Sequence, residues 1–77
     1  MVYTYFVTYV YMQDGTMFER TRSCTLDLNR KINGAGEIKQ ATRLIADGLE
    51  NTNFPPGRIT IIDFKLLGRR LGKIAKV

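Results

Sequence analysis

The fold is decided by the stretch Val2-Tyr3-Thr4-Tyr5-Phe6-Val7-Thr8-Tyr9-Val10-Tyr11-Met12, which contains all 4 tyrosines of this 77-residue chain. Its valines, threonines and aromatic residues favour a β-strand. Side chains along a strand point alternately to opposite faces, so the tyrosines, all at odd positions, share one face. That face is either half of a core or an exposed aromatic platform.

A hairpin is predicted over residues 2–28, because residues 13–16 form a turn and residues 17–28 resume an extended pattern. The Asp14-Gly15 pair is a strong turn signal, but the loop length decides which residues face each other. A two-residue loop would place Tyr9 opposite Arg20 and divide the apolar residues between the faces. A three-residue loop, with Gly15 in the left-handed conformation, pairs even positions with even positions. We favour this second register because it separates apolar from polar positions.

The favoured register predicts one apolar face and one wet face for the hairpin. The apolar face would line the core and contains Val2, Phe6, Val10, Met12, Phe18, Cys24 and Leu26. The wet face would carry the aromatic platform formed by Tyr3, Tyr5, Tyr9 and Tyr11. Tyrosines are common in protein interfaces, where they bury area and keep the hydroxyl hydrogen-bonded, so this platform is the predicted partner-binding site. The alternative is that a symmetric partner or the C-terminal tail covers the rings for structural reasons.

A helix and a third strand follow the hairpin. Apolar residues recur at helical spacing after Glu37, which predicts a helix of about 14 residues that ends before Pro55-Pro56. Residues 58–67 read as a strand with two apolar faces, which predicts a central or doubly covered strand. A right-handed crossover would place it parallel to the first strand. The predicted fold is α+β, a ββαβ unit in which one helix packs on one face of the sheet.

The formal net charge is +5, and the whole excess lies near the C-terminus. It is carried by Lys65, Arg69, Arg70, Lys73 and Lys76. We predict a single domain over residues 1–68 and a basic tail over residues 69–77, which forms a fourth strand, a helical turn or a disordered segment. Its glycine content and terminal position favour partial disorder. These cations could contact nucleic acid or another anionic partner, or simply solubilise the chain.

Two further positions are candidate anion contacts. In the favoured register Arg20 and Arg22 point toward the core face, where they would pair with a carboxylate, bind an anionic ligand or extend to water at the sheet edge. The Gly34-Ala35-Gly36 segment precedes the helix and could hold an anion at the helix N-terminus, although the lysine of a P-loop is missing.

Catalysis and metal binding are not expected. The chain has no histidine and only 1 cysteine, which excludes an intrachain disulfide, a structural zinc site and the usual general base. Cys24 is interpreted as a small buried hydrophobic residue, and no cofactor is predicted. A signal peptide and an apolar stretch of membrane-spanning length are both missing, which predicts a soluble cytoplasmic protein without membrane contact.

The pattern of Tyr5-Phe6-Val7-Thr8-Tyr9, Thr25-Leu26, Ile32, Glu37-Ile38 and Ile61-Ile62-Asp63-Phe64-Lys65-Leu66-Leu67 resembles small proteins encoded by phages and prophages of low-GC Gram-positive bacteria. The similarity covers roughly residues 3–67 and lies in strand and helix patterning. It implies an accessory protein of a mobile element, acting in the bacterial host cell. Such a protein binds and inhibits a host or defence protein, for example a CRISPR effector, or sequesters a small ligand. The resemblance assigns no functional residue.

Two functions are therefore predicted. The first is a non-enzymatic interaction module that binds a protein partner through the tyrosine face and the strand edges and that also forms a homo-oligomer. The second is a nucleic-acid-binding protein that uses the basic tail for phosphates and the tyrosines for stacked bases.

Overall fold

The computed structural model describes residues 1–71, which form a three-stranded sheet and one helix. The elements in chain order are β1 (Val2–Gln13), β2 (Glu19–Leu28), α1 (Ala35–Asn51) and β3 (Gly57–Arg70). β1 is the middle strand and pairs antiparallel with both neighbours. The predicted α+β fold, with an antiparallel hairpin, a third strand and one helix, is confirmed.

The hairpin register differs from both predicted registers. Tyr9 lies opposite Arg22, and Met12 lies opposite Glu19. The backbone N–H of Gln13 donates to the carbonyl oxygen of Phe18 at 3.1 Å, which leaves a loop over residues 14–17. This longer loop pairs odd positions of β1 with even positions of β2. The favoured pairing of even with even positions is therefore wrong.

The register places the core on the tyrosine face. Residues opposite each other share a face, so the tyrosines of β1 stand beside the even-numbered apolar residues of β2. The buried cluster consists of Tyr5, Val7, Tyr9, Tyr11, Leu28, Ala41 and Ile45. Ala41 and Ile45 belong to α1, which packs across β2 and β3 on this face. The one helix therefore covers the face that was predicted to be wet.

The predicted core set is largely wrong. Phe6, Met12 and Phe18 are 42%, 40% and 46% exposed, because the helix lies on the opposite side of the sheet from Phe6 and Met12, and Phe18 precedes β2. Cys24 and Leu26 are partly buried against the core cluster, as parts of the tyrosine face. Val2 is buried but does not belong to this cluster.

Helix α1 begins two residues before the predicted start at Glu37 and runs for 17 residues. The carboxylate of Glu37 accepts a hydrogen bond from the backbone N–H of Asn33 at 3.2 Å, which fixes the approach to the helix. The helix ends at Asn51, and Asn53 then adopts a left-handed conformation with φ of 62°. No helix among residues 1–71 is long and apolar enough to cross a membrane.

Strand β3 runs antiparallel to β1, so the predicted parallel orientation is wrong. β2 returns the chain to the end of the sheet where β1 began, and α1 carries it back along the sheet. β3 therefore starts beside the end of β1, where Gly57 lies opposite Gln13. It is an edge strand and not the central strand that its apolar faces suggested.

Two register shifts between β1 and β3 change which side chains of β3 share a face. Ile62 and Leu67 have no opposite residue on β1, and the stretch between them is regular. As a result, Ile59, Ile61, Phe64 and Leu66 lie opposite Tyr11, Tyr9, Val7 and Tyr5 on the helix face. Asp63 and Lys65 lie on the open face, opposite Thr8 and Phe6. The bulges therefore sort apolar from charged residues, which strict alternation does not predict.

Candidate binding surfaces

The tyrosines of β1 form a buried layer between the sheet on one side and α1 with its flanking loops on the other. Tyr5, Tyr9 and Tyr11 are only 3%, 3% and 2% exposed, and Tyr3 is half-buried. The Tyr5 hydroxyl accepts a hydrogen bond from the backbone N–H of Ile32 at 2.9 Å, and the Tyr11 hydroxyl donates to the carbonyl oxygen of Pro55. The predicted exposed platform is therefore wrong, because rings that are almost fully buried cannot present a surface to a partner.

Aromatic contacts extend this layer toward β3 and the loop after α1. The rings of Tyr5 and Phe64 meet edge to face with centroids 5.9 Å apart. Tyr11 and Phe54 meet in the same way at 5.5 Å. This geometry is the one that the charge distribution of aromatic rings favours.

The two candidate arginines share the core face, as predicted, and both lie over aromatic rings. The Arg22 guanidinium is 4.7 Å from the ring centre of half-buried Phe54, and Arg20 is 5.3 Å from that of exposed Phe18. Within residues 1–71 the single ion pair joins Arg70 and Asp27, so neither arginine pairs with a carboxylate there. Both are held by aromatic packing, and anion binding by Arg20 and Arg22 stays a prediction.

Among residues 1–71, no strand pairs with the outer edge of β3, which carries large exposed apolar side chains. They are Ile62, Phe64, Leu66 and Leu67, which are 57%, 41%, 38% and 55% exposed. The sequence did not reveal this surface, because the two apolar faces of the segment indicated a covered strand. We call it the β3 edge, defined by residues 61–67.

The free edge of β2 is different in character. Its exposed residues are all polar: Glu19, Arg20, Thr21, Ser23 and Thr25. Charged and polar side chains of this kind protect a sheet edge against pairing with other strands. The two edges of this sheet therefore differ, and only the β3 edge presents an apolar row.

The open face of the sheet is mixed in character. Phe6 and Met12 are exposed there among threonines and Ser23. At one end of this face, the Asp27 carboxylate accepts a 2.7 Å hydrogen bond from the Thr4 hydroxyl and lies 3.3 Å from the Arg70 guanidinium. These polar contacts link all three strands across the face.

Basic residues gather near the start of α1. Arg30 and Lys31 border a depression of about 430 Å³ beside the helix N-terminus, and Lys31 and Arg69 border a groove of about 440 Å³ with Leu66 in its wall. Gly34 is the N-cap residue of α1, and no side-chain hydrogen bond caps the first turn of this helix. Anion binding at the Gly34-Ala35-Gly36 segment stays a prediction.

The predicted basic tail is only partly described. Arg69 and Arg70 belong to β3, so the boundary predicted after residue 68 falls inside a strand. Lys65 is also in β3, on the open face. Lys73 and Lys76 lie outside the described residues.

A further cavity of about 350 Å³ lies between the C-terminal end of α1 and the start of β3. Tyr11, Leu49, Phe54 and Ile59 contribute apolar walls, and Asp14 and Glu50 add carboxylates.

Chemically reactive groups are few in the described part of the chain. Partial burial raises the pKa of the Cys24 thiol, which disfavours the thiolate that nucleophilic chemistry requires. Residues 1–71 contain no cluster of three side chains suited to hold a metal ion. The surfaces described above can bind by apolar contact, backbone pairing and charge.

Comparison with known proteins found no matching family model, no similar curated protein and no similar solved structure.

Proposed function

We propose that this chain is a small non-enzymatic protein-binding protein that pairs its β3 edge with an extended strand of a partner. The observation that carries the proposal is the row of exposed apolar side chains on an edge strand of 14 residues. Partner strands add to such edges through backbone hydrogen bonds, and side-chain contacts supply the specificity.

The contrast between the two edges supports this choice. Long apolar edges promote association, and proteins usually protect them with charges, prolines or bulges. The exposed side chains of β2 are all polar, whereas β3 carries four large exposed apolar side chains and contains no proline. The charges within this part of β3, Asp63 and Lys65, lie on the open face, and its two bulges leave the stretch 63–66 regular. The β3 edge therefore keeps a short, straight pairing segment flanked by apolar residues.

The biological setting remains a prediction. A protein that occupies a partner's strand edge could inhibit it, which agrees with the mobile-element inhibitor implied by the resemblance. Cytoplasmic location in a bacterial host belongs to the same prediction.

Nucleic-acid binding also remains a prediction, but it loses its stacking platform in this fold. Three buried tyrosines cannot stack on bases, so only the cations of β3 and the tail would be left for contact with phosphates.

The test uses the full chain as bait against a displayed library of random extended peptides. The edge variant carries Ile62→Glu and Leu67→Glu, at the two most exposed apolar positions of the edge. The matched control carries Phe6→Glu and Met12→Glu on the open face, which adds the same charge at exposed positions.

We expect selected peptides to bind the wild type and the open-face control equally, and to lose at least about tenfold in affinity for the edge variant. Amide hydrogen exchange with a purified peptide should show new protection in residues 61–67. Peptides that bind the edge variant as well as the wild type, or that protect only other strands, would refute the proposal.

A further inference from the structure

We infer that one partner of the β3 edge is a second copy of this chain, with the two β3 strands antiparallel about a twofold axis at Phe64. This inference rests on the proposed function, because it uses the same edge. The pairing would join two sheets into one continuous sheet of six strands and would remove the apolar edge from both copies.

The faces of β3 restrict the register of such a pair. Directly opposite residues in a sheet lie on the same face. Asp63 and Lys65 are on the open face, while Phe64 and Leu66 are on the helix face. A twofold axis that falls between two residues of this stretch would oppose an open-face residue with a helix-face residue. The twofold axis must therefore pass between a residue and the same residue of the second copy.

Charge then selects among the remaining registers. An axis at Asp63 would oppose two aspartates, and an axis at Lys65 would oppose two lysines. An axis at Leu66 would oppose Lys65 with Leu67 and leave the charges without an opposite partner. An axis at Phe64 places Asp63 of each copy opposite Lys65 of the other. Opposite charges in directly opposed positions stabilise a strand pair, whereas like charges destabilise it. The register centred on Phe64 is therefore favoured on the open face.

The same register brings apolar groups together. It opposes the two Phe64 rings and places Ile62 of one copy opposite Leu66 of the other. All three side chains are at least 38% exposed in the single chain. Burial of this exposed apolar area gives the association its main driving force.

The bulges at Ile62 and Leu67 bound the regular stretch 63–66, so we centre the pair on this stretch. Further out, the register would bring Arg58 near Arg70 of the second copy, which opposes like charges. Arg70 already pairs with Asp27 of its own chain at 3.3 Å, which offsets part of this repulsion. We therefore place the pairing within residues 61–67.

Charge reversal gives a specific test, by sedimentation equilibrium of the full chain from about 1 μM to 1 mM. Lys65→Asp would oppose Asp63 with an aspartate and should raise the dimer Kd by about tenfold or more. The double variant Asp63→Lys with Lys65→Asp restores opposed charges at both positions and the original net charge, so it should recover the dimer. Lys39→Asp, at an exposed position of α1, changes the net charge as Lys65→Asp does and should leave the dimer unchanged.

A wild type that stays monomeric over this range would refute self-association. A dimer that Lys65→Asp leaves unchanged, or that the double variant does not recover, would refute the register. The peptide selection separates these failures from failure of the proposed function. Peptides that bind residues 61–67 of a monomeric chain would keep the edge as a binding site while excluding the second copy as its partner.

Discussion

The hydroxyl of Tyr5 accepts a 2.9 Å hydrogen bond from the backbone N–H of Ile32. This bond ties the middle strand to the connection that leads into α1. It also gives the buried ring a partner for its polar atom, which burial requires.

Removal of this hydroxyl should destabilise the fold. We expect Tyr5→Phe to lower the free energy of unfolding by about 1 to 2 kcal/mol, because the Ile32 N–H loses its acceptor in a partly buried site. Urea unfolding followed by circular dichroism measures the change. Tyr3→Phe, at a half-buried position of the same row, is the control and should change stability by less than about 0.5 kcal/mol. Equal losses in the two variants would contradict a specific role for the Tyr5 hydroxyl.

The same residue shows why the sequence predicted the elements but not the faces. Strand propensity, helical spacing and the proline pair were sufficient to place two strands, a helix and a third strand. Which face forms the core depends on the hairpin loop, which has four residues where three were predicted. It also depends on hydrogen-bond partners of the tyrosine hydroxyls that lie far along the chain. The partners of Tyr5 and Tyr11 are Ile32 and Pro55, and no local pattern in β1 points to them.

The β3 edge was missed for a related reason. Strict alternation assigns Ile59 and Ile61 to the face of Asp63 and Lys65, which gives two mixed faces and favours a central strand. The bulges at Ile62 and Leu67 shift this alternation, and they form against β1, a strand more than 40 residues earlier in the sequence. Bulges of this kind depend on tertiary pairing, so the segment itself carries no clear signal for them.

The second prediction concerns the contact between Arg22 and Phe54. The guanidinium lies 4.7 Å from the ring centre, and both side chains are half-buried. We expect Arg22→Ala to lower the free energy of unfolding by about 1 kcal/mol, through lost cation–π attraction and lost packing of the arginine stem.

Arg20→Ala provides the matched comparison for Arg22→Ala. Arg20 lies 5.3 Å from the ring centre of Phe18, and both are exposed. Water weakens such a contact, so the loss should stay below about 0.5 kcal/mol. Thermal unfolding at two salt concentrations measures the stability of both variants. A larger loss for Arg20→Ala than for Arg22→Ala would contradict the assignment.

The third prediction concerns Gly57, the first residue of β3. A Cβ atom there would lie 2.5 Å from the carbonyl oxygen of Met12 and 2.5 Å from Cε2 of Tyr11. Neither the backbone nor the buried ring can move easily, so Gly57→Ala should destabilise the fold by about 1 to 3 kcal/mol. Gly68→Ala in the same strand meets no atom within 4 Å and should have a much smaller effect. The urea concentration at the unfolding midpoint measures the stability of both variants. Similar decreases for Gly57→Ala and Gly68→Ala would show that close packing does not require glycine at position 57.

The fourth prediction concerns the pH dependence of the Asp27 contacts. The hydrogen bond from Thr4 and the charge of Arg70 lower the pKa of the Asp27 carboxyl in the folded state. A lowered pKa means that the carboxylate stabilises the fold at pH values above the unfolded-state pKa, which is about 3.9. This contribution is lost as the pH falls through the folded-state pKa.

Asp27→Asn should therefore lower the free energy of unfolding near pH 7 by less than about 1 kcal/mol, because the carboxylate remains solvated. The difference from the wild type should shrink as the pH falls through the folded-state pKa of Asp27, because both side chains are neutral once this carboxyl is protonated. Thr4→Val removes the main donor, so it should move the pKa of Asp27 back toward its ordinary value in an NMR titration of the carboxyl carbon. A stability difference that persists at low pH, or an Asp27 titration that Thr4→Val leaves unchanged, would show that this hydrogen bond does not control the charge of Asp27.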